Sequence, residues 1–155
     1  MSLPERRVKI MREILFRGKG TIDGEWKYGY YAGEVCKTPF SPTTKQDNII
    51  QLGSNLWCEV VPDTVGQFTG LTDKNGTKIF EGDIVEYEAG DKLRIGRVFF
   101  SDFRASFSVT AGKNGSARIN NDLFNYIQNG NSVIVIGNIF DNPELIGGTD
   151  YENTV

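Results

Sequence analysis

Histidine is absent from this chain of 155 residues, and with it goes the side chain that most often moves protons near neutral pH and most often ligates transition metals. Serine or cysteine hydrolysis by the usual triad is excluded on the same ground. Cysteine is scarce: Cys36 and Cys58 stand 22 residues apart with no paired thiol nearby, which cannot furnish the four ligands of a structural zinc site. In a reducing cytoplasm both read as free thiols, Cys58 inside a strand. No apolar run approaches the length that crosses a bilayer, and the beginning lacks the apolar stretch of a secretory signal. The expected location is therefore the cytoplasm, without a membrane partner. These absences leave no catalytic residue, no cofactor site and no metal site to name, and the chain reads as a non-enzyme.

What the sequence holds in quantity is turn chemistry. Its 18 glycines and 12% aromatics suit many short strands and tight connections better than long helices. The densest stretch is residues 65–85, V-G-Q-F-T-G-L-T-D-K-N-G-T-K-I-F-E-G-D-I-V. Asn75-Gly76 favours positive φ at both central positions of a type I′ turn, which would set Lys74 against Thr77 in a two-residue hairpin. Glu81-Gly82-Asp83 then punctuates the start of Ile84-Val85-Glu86-Tyr87-Glu88, where apolar and acidic residues alternate as on a half-buried strand. The turn reading outweighs a calcium loop beginning at Asp73, because the glycine comes too early for such a loop and Ile84 occupies its twelfth position. Gly18-Lys19-Gly20-Thr21 lacks the spacing and the following helix of a phosphate-cradling loop. The carboxylate pairs Glu81 with Asp83 and Glu86 with Glu88 each share a strand face and read as solvated.

The same stretch carries a family resemblance. Phe68-Thr69-Gly70-Leu71 with Asp73-Lys74-Asn75-Gly76, followed by Ile79-Phe80-Glu81-Gly82-Asp83-Ile84-Val85, is similar to the signature of the YopX family of phage and prophage proteins. Val135-Ile136-Gly137-Asn138-Ile139-Phe140-Asp141-Asn142-Pro143-Glu144-Leu145 resembles that family's closing motif, and Arg12-Glu13-Ile14-Leu15-Phe16-Arg17 resembles its opening strand. The motifs stand in the family's order and bracket residues 12–145, while residues 31–55 and 88–128 carry nothing diagnostic. The resemblance implies a largely β fold, an intracellular bacterial setting and a gene carried by a phage or prophage; it brings over no catalytic residues. Residues 1–11 are then expected to be a disordered or tag-derived segment, with Met11 a candidate initiator. Residues 12–146 read as a single YopX-like β domain and residues 147–155 as a flexible acidic tail.

Along the chain, Ile14 and Phe16 share one face of a first strand, and turns at Gly18-Lys19-Gly20 and Asp23-Gly24 lead to a second over residues 26–31. Residues 36–55 are polar, contain Pro39 and Pro42, and read as a long excursion from which Ile49-Ile50-Gln51-Leu52 packs back. Strand character resumes at residues 57–61, and residues 93–100 and 103–110 form an antiparallel pair linked at Ser101-Asp102. Asn120-Asn121-Asp122 offers caps for a short helix over residues 123–127, closed by Gly130. Residues 133–140 form the last strand, with a bulge or close approach at Gly137 and a stop at Asn142-Pro143. The expected fold is mainly β: a small twisted SH3-like or related barrel with extra strands and at most one or two short helices, a two-sheet sandwich being the alternative.

Charge is uneven beneath the net value of -3. Residues 1–20 hold six Lys/Arg against two Asp/Glu, residues 91–118 hold the same, and residues 121–155 hold five acidic residues with no Lys or Arg. Such a chain has no global pull toward nucleic acid, but it can carry a local basic face or pair basic with acidic surfaces between copies. Lys92, Arg94, Arg97, Phe99 and Arg104, interleaved with Phe100, Phe103 and Phe107, form a candidate nucleic-acid surface, since cations and stacking rings together hold single strands. Core phenylalanines with outward arginines are the plainer reading. Trp26, Tyr28 and Tyr30 alternate on one strand and form a candidate protein-interaction surface, with burial in the core as its alternative. The expected function is that of a phage or prophage YopX-like protein. It would be a self-associating, homo-oligomeric β domain serving as an adaptor for an unidentified phage or host protein. The alternative is a single-stranded nucleic-acid-binding module of phage DNA or RNA metabolism.

Overall fold

The computed structural model describes residues 12–36, 45–53, 56–111, 117–118 and 122–147. The expectations for residues 1–11 and for the tail beyond 147 fall outside the described residues. The chain runs β1 (Phe16–Lys19), β2 (Trp26–Cys36), β3 (Lys45–Gly53), β4 (Leu56–Glu59), a 3-10 turn (Pro62–Thr64), β5 (Gly66–Thr72), β6 (Lys78–Phe80) and β7 (Asp83–Ala89). There follow β8 (Lys92–Ser101), β9 (Ser106–Ala111), β10 (Ala117–Arg118), α1 (Leu123–Gln128), β11 (Val133–Asn138) and α2 (Glu144–Gly147). These strands pair into two antiparallel sheets, ordered β4-β3-β2-β1-β5-β6 and β10-β9-β8-β7-β11. The fold is mainly β with two short helices, as expected.

The first sheet curls on itself. Gly20 and Val60 form an isolated antiparallel bridge, and the Thr21 and Val61 N–H groups donate to the carbonyls of Glu59 and Lys19 at 3.0 and 2.8 Å. Among the described residues, however, neither sheet closes into a barrel. β1 pairs with β2 along its whole length but with β5 only at Phe16 and Arg17, and residues 59–61 at the end of β4 meet its free edge only at Lys19, Gly20 and Thr21.

The β5–β6 connection differs from the expected turn. Gly76 has φ 82°, and Asn75 is not among the positive-φ residues. The Gly76 N–H donates to the Asp73 carbonyl at 3.0 Å and the Asp73 N–H to the Thr77 carbonyl at 2.8 Å. This is a three-residue loop, a type I turn followed by a left-handed glycine, and Asp73 rather than Lys74 faces Thr77. The Asp73 side chain explains the choice: its Oδ1 accepts the N–H groups of Asn75 and Thr77 at 2.8 and 2.9 Å, which favours the longer form. At Gly137 the expectation holds. The register of β11 against β7 shifts between Val135 and Gly137, and a Cβ on Gly137 would stand 2.5 Å from the Asn142 side-chain oxygen.

Three boundaries move. Gly18 and Lys19 belong to β1, and the chain turns only after Gly20. Much of the supposed excursion is strand: Cys36 lies opposite Lys45 and Tyr30 opposite Gln51. Backbone pairing needs no apolar side chain, so a polar strand leaves no periodic signal; Ile50 nevertheless is fully buried, as its apolar run implied. Phe103 sits in the turn between β8 and β9, almost wholly exposed, instead of starting β9. The short helix is where the caps placed it, with Asp122 Oδ1 accepting the Asn125 N–H at 2.8 Å.

The main core packs against the second sheet. Val85 and Tyr87 of β7, Val98 of β8, Phe107 and Val109 of β9 and Val133 of β11 are joined by Leu123 of α1 and by Ile79 of β6. Each such side chain contributes about 1.5–3 kcal/mol by burial. Ile79 is what ties the last strand of the first sheet to the second.

Candidate functional site

Charges distant in sequence converge where the sheets meet. Alternation on β1 puts Arg17 and Lys19 on one face. Arg17 Nη2 lies 2.6 Å from Asp83 Oδ1 at the start of β7, both side chains buried, and Asp83 Oδ2 accepts the Phe80 N–H at 2.7 Å. The guanidinium also lies 4.6 Å from the Trp26 ring centre and 4.9 Å from that of Phe80, an added attraction for a desolvated cation. Burial pushes the Asp83 carboxyl above the usual carboxylate range, against the pull of Arg17 and of the Phe80 N–H. The expected solvated pair of Glu81 and Asp83 is thus corrected: Asp83 is interior because its end of β7 abuts β1.

Asp141 forms the second half of the junction. After β11, Asn138 Oδ1 accepts the N–H groups of Phe140 and Asp141 at 3.0 and 2.9 Å, which tightens the turn. Asp141 Oδ2 then accepts the Asn138 amide at 2.9 Å and the Trp26 indole N–H at 2.7 Å, while Oδ1 pairs with Lys19. The Asn138, Lys19 and Trp26 donors together lower the Asp141 pKa from 3.8 to about 2. A carboxylate with a depressed folded-state pKa contributes stability that is present above the unfolded value and lost as pH falls toward the folded one. Asp141→Asn is therefore expected to flatten the stability profile between pH 4 and 2, removing about 1 kcal/mol after allowance for its partial exposure. Chemical denaturation across that range measures it.

The junction braces a row of rings. Trp26, Tyr28 and Tyr30 share one face of β2, with Trp26 opposite Lys19 and Tyr28 opposite Arg17. Tyr30 is opposite Gln51 on β3, and Gln51 is opposite Trp57 on β4, so Trp57 lies on the same face about 10 Å across the sheet from Tyr30. At the inner end Trp26 is half-buried, its ring centre 6.0 Å from that of Phe140, and Tyr28 meets the Phe80 ring at 5.6 Å. Outward the rings enter solvent: Tyr28 is 47% exposed, Tyr30 66% and Trp57 41%.

The candidate cationic surface is divided by its strand. Arg94 lies opposite Tyr87 on the core-facing side of β8. Arg97 and Phe99 share the other side and line a hollow of about 200 Å³ with Asp63, Glu81, Ile139 and Phe140. Lys92 begins β8 and Arg104 lies in the turn beyond its end, about 30 Å or more apart along an extended strand. One face therefore gathers Arg97 and Phe99 but not the remaining cations.

The family described as YopX protein matches residues 16–147. The chain belongs to the YopX family. The YopX stretch includes both sheets, the Arg17–Asp83 and Lys19–Asp141 pairs and the whole aromatic row. A crystal structure of protein EF1440 from Enterococcus faecalis is similar over 88% of this YopX chain and 99% of that one, at 23% identity and a TM-score of 0.47. No curated protein matches the chain. Among the described residues no helix is long and apolar enough to cross a membrane.

Proposed function

We propose that this YopX-family chain is a non-enzymatic, self-associating β domain that acts as a protein-binding adaptor for a phage or prophage, within the bacterial cytoplasm. The observation that carries this reading is the row of Tyr28, Tyr30 and Trp57, large rings held in solvent on one sheet face. Strand-borne aromatics offer wide contact area, and tyrosine and tryptophan are the side chains on which association energy most often concentrates. The opposed basic and acidic segments of the sequence would orient neighbouring copies. Light scattering on the purified chain is expected to give more than the monomer mass. Tyr30→Ala with Trp57→Ala is expected to weaken association at least about tenfold, with circular dichroism unchanged because both rings are solvent-exposed. A monomer at working concentration, or association indifferent to the double substitution, contradicts this reading.

The shared face of Arg97 and Phe99 favours a second reading, a single-stranded nucleic-acid binder, although Asp63 and Glu81 line the same hollow. Oligonucleotide binding that falls steeply with added salt and vanishes in Arg97→Glu supports it, whereas no binding at low salt removes it.

A further inference from the structure

β5, the β8–β9 hairpin and the start of α1 surround an open groove of about 370 Å³. Leu71, Phe100, Phe107 and Phe124 give it an apolar floor. Phe107 belongs to the core and meets Phe100 edge-on at 5.2 Å, whereas Phe100 and Phe124 are 42% and 54% exposed. Rings from three elements thus present contiguous apolar surface that nothing among the described residues covers. Two charged side chains, Arg12 and Asp122, also line the groove. The Asp122 carboxylate is engaged at both oxygens, by the N–H and the side-chain amide of Asn125, each at 2.8 Å. Arg12 has no carboxylate partner among the described residues. Its Nε is 3.7 Å from where a Cβ on Gly70 would stand, so the guanidinium lies low against β5.

We propose that this groove docks a peptide segment of a partner protein in which a large apolar side chain stands beside a carboxylate. The ring floor takes the side chain, and Arg12 supplies the counter-ion. A peptide fits better than a free metabolite, because small-molecule sites bury about 70–90% of their ligand, whereas this groove is open to solvent. The groove shares no residue with the row on β2 and β4, so it goes beyond the function proposed above and either reading can fail alone.

Titration of the isotopically labelled full chain with the capped peptide acetyl-Gly-Glu-Phe-Asp-Gly-amide, followed by amide chemical shifts, tests the proposal. Shifts are expected to concentrate at residues 69–71, 105–107 and 122–124. Affinity is expected to fall about two- to fivefold for the Gln/Asn version of the peptide and for Arg12→Gln, the scale of an exposed ion pair. Phe124→Ser is expected to weaken binding about tenfold, with the rest of the spectrum unchanged. Absence of groove shifts at about 5 mM peptide, a concentration that detects even millimolar affinity, overturns the proposal. Equal affinity for the neutral peptide, or phenylacetate binding as tightly as the acidic peptide, overturns it as well.

Discussion

Replacing Asp83 with alanine is expected to lower stability by about 3–5 kcal/mol, because it leaves the buried Arg17 guanidinium without its counter-ion. Contact with the Trp26 and Phe80 rings softens this loss, but arginine cannot shed its proton to escape it. Arg17→Met is expected to cost less and to depend on pH. It leaves Asp83, whose carboxyl burial already pushes upward and which loses its main opposing charge. A raised folded-state pKa means that the folded protein holds the proton more tightly than the unfolded chain. The cost of Arg17→Met is therefore fully present above that pKa and shrinks as pH falls through it. The Asp83→Ala cost has no such relief. Arg17→Met with Asp83→Leu is expected to return within about 1–2 kcal/mol of the parent, since an apolar pair avoids the desolvation that the ions incur. Urea unfolding of the parent, Arg17→Met, Asp83→Leu and the double variant at neutral and acid pH closes the cycle. A coupling energy below about 1 kcal/mol would show the pair to be incidental.

That junction was invisible to local pattern. Arg17 and Asp83 lie 66 positions apart, and only the antiparallel pairing of β1 with β2 and β5 brings one against the other. The nearest signal was the alternation of Arg17 and Lys19 with Phe16 and Gly18, two cations on the face that Trp26 and Tyr28 share. Period two did place Trp26, Tyr28 and Tyr30 on one face and Val85 and Tyr87 inside, but it cannot say which face another element will cover. Hence the exposure of Tyr30, and the alignment of Trp57 with it through Gln51, emerge only from the register. Turn signals were legible where a single residue type suffices, as at Gly137 and at the Asp122 cap, whose side chain accepts the Asn125 N–H. They were incomplete at Asn75-Gly76, where the carboxylate of Asp73 selects the loop.

Asp73→Ala is expected to produce the other large loss, about 2–4 kcal/mol, since hydrogen bonds to a charged group are worth more than neutral ones. Beyond the two N–H groups of its own turn, Asp73 reaches across: Oδ2 accepts the Val135 N–H at 3.0 Å, and the Lys74 N–H donates to the Val133 carbonyl at 3.1 Å. β11 is the edge strand of the second sheet, so a turn of the first sheet shields an edge that would otherwise offer itself to other chains. Burial alone would raise the Asp73 carboxyl, but the Val135, Thr77 and Asn75 donors outweigh it and hold the pKa below its ordinary value. The contribution is therefore present above the unfolded value of 3.8 and lost as pH falls through the lowered one. Asp73→Asn separates charge from shape, because its single carbonyl oxygen can serve the turn or Val135 but not both. Hydrogen exchange is the decisive readout: in Asp73→Ala the Val135 amide should exchange faster by more than the global loss of stability explains, while the paired amides of β7 follow the global change. Unaltered relative protection at Val135 would mean that β11 is guarded by something other than this carboxylate.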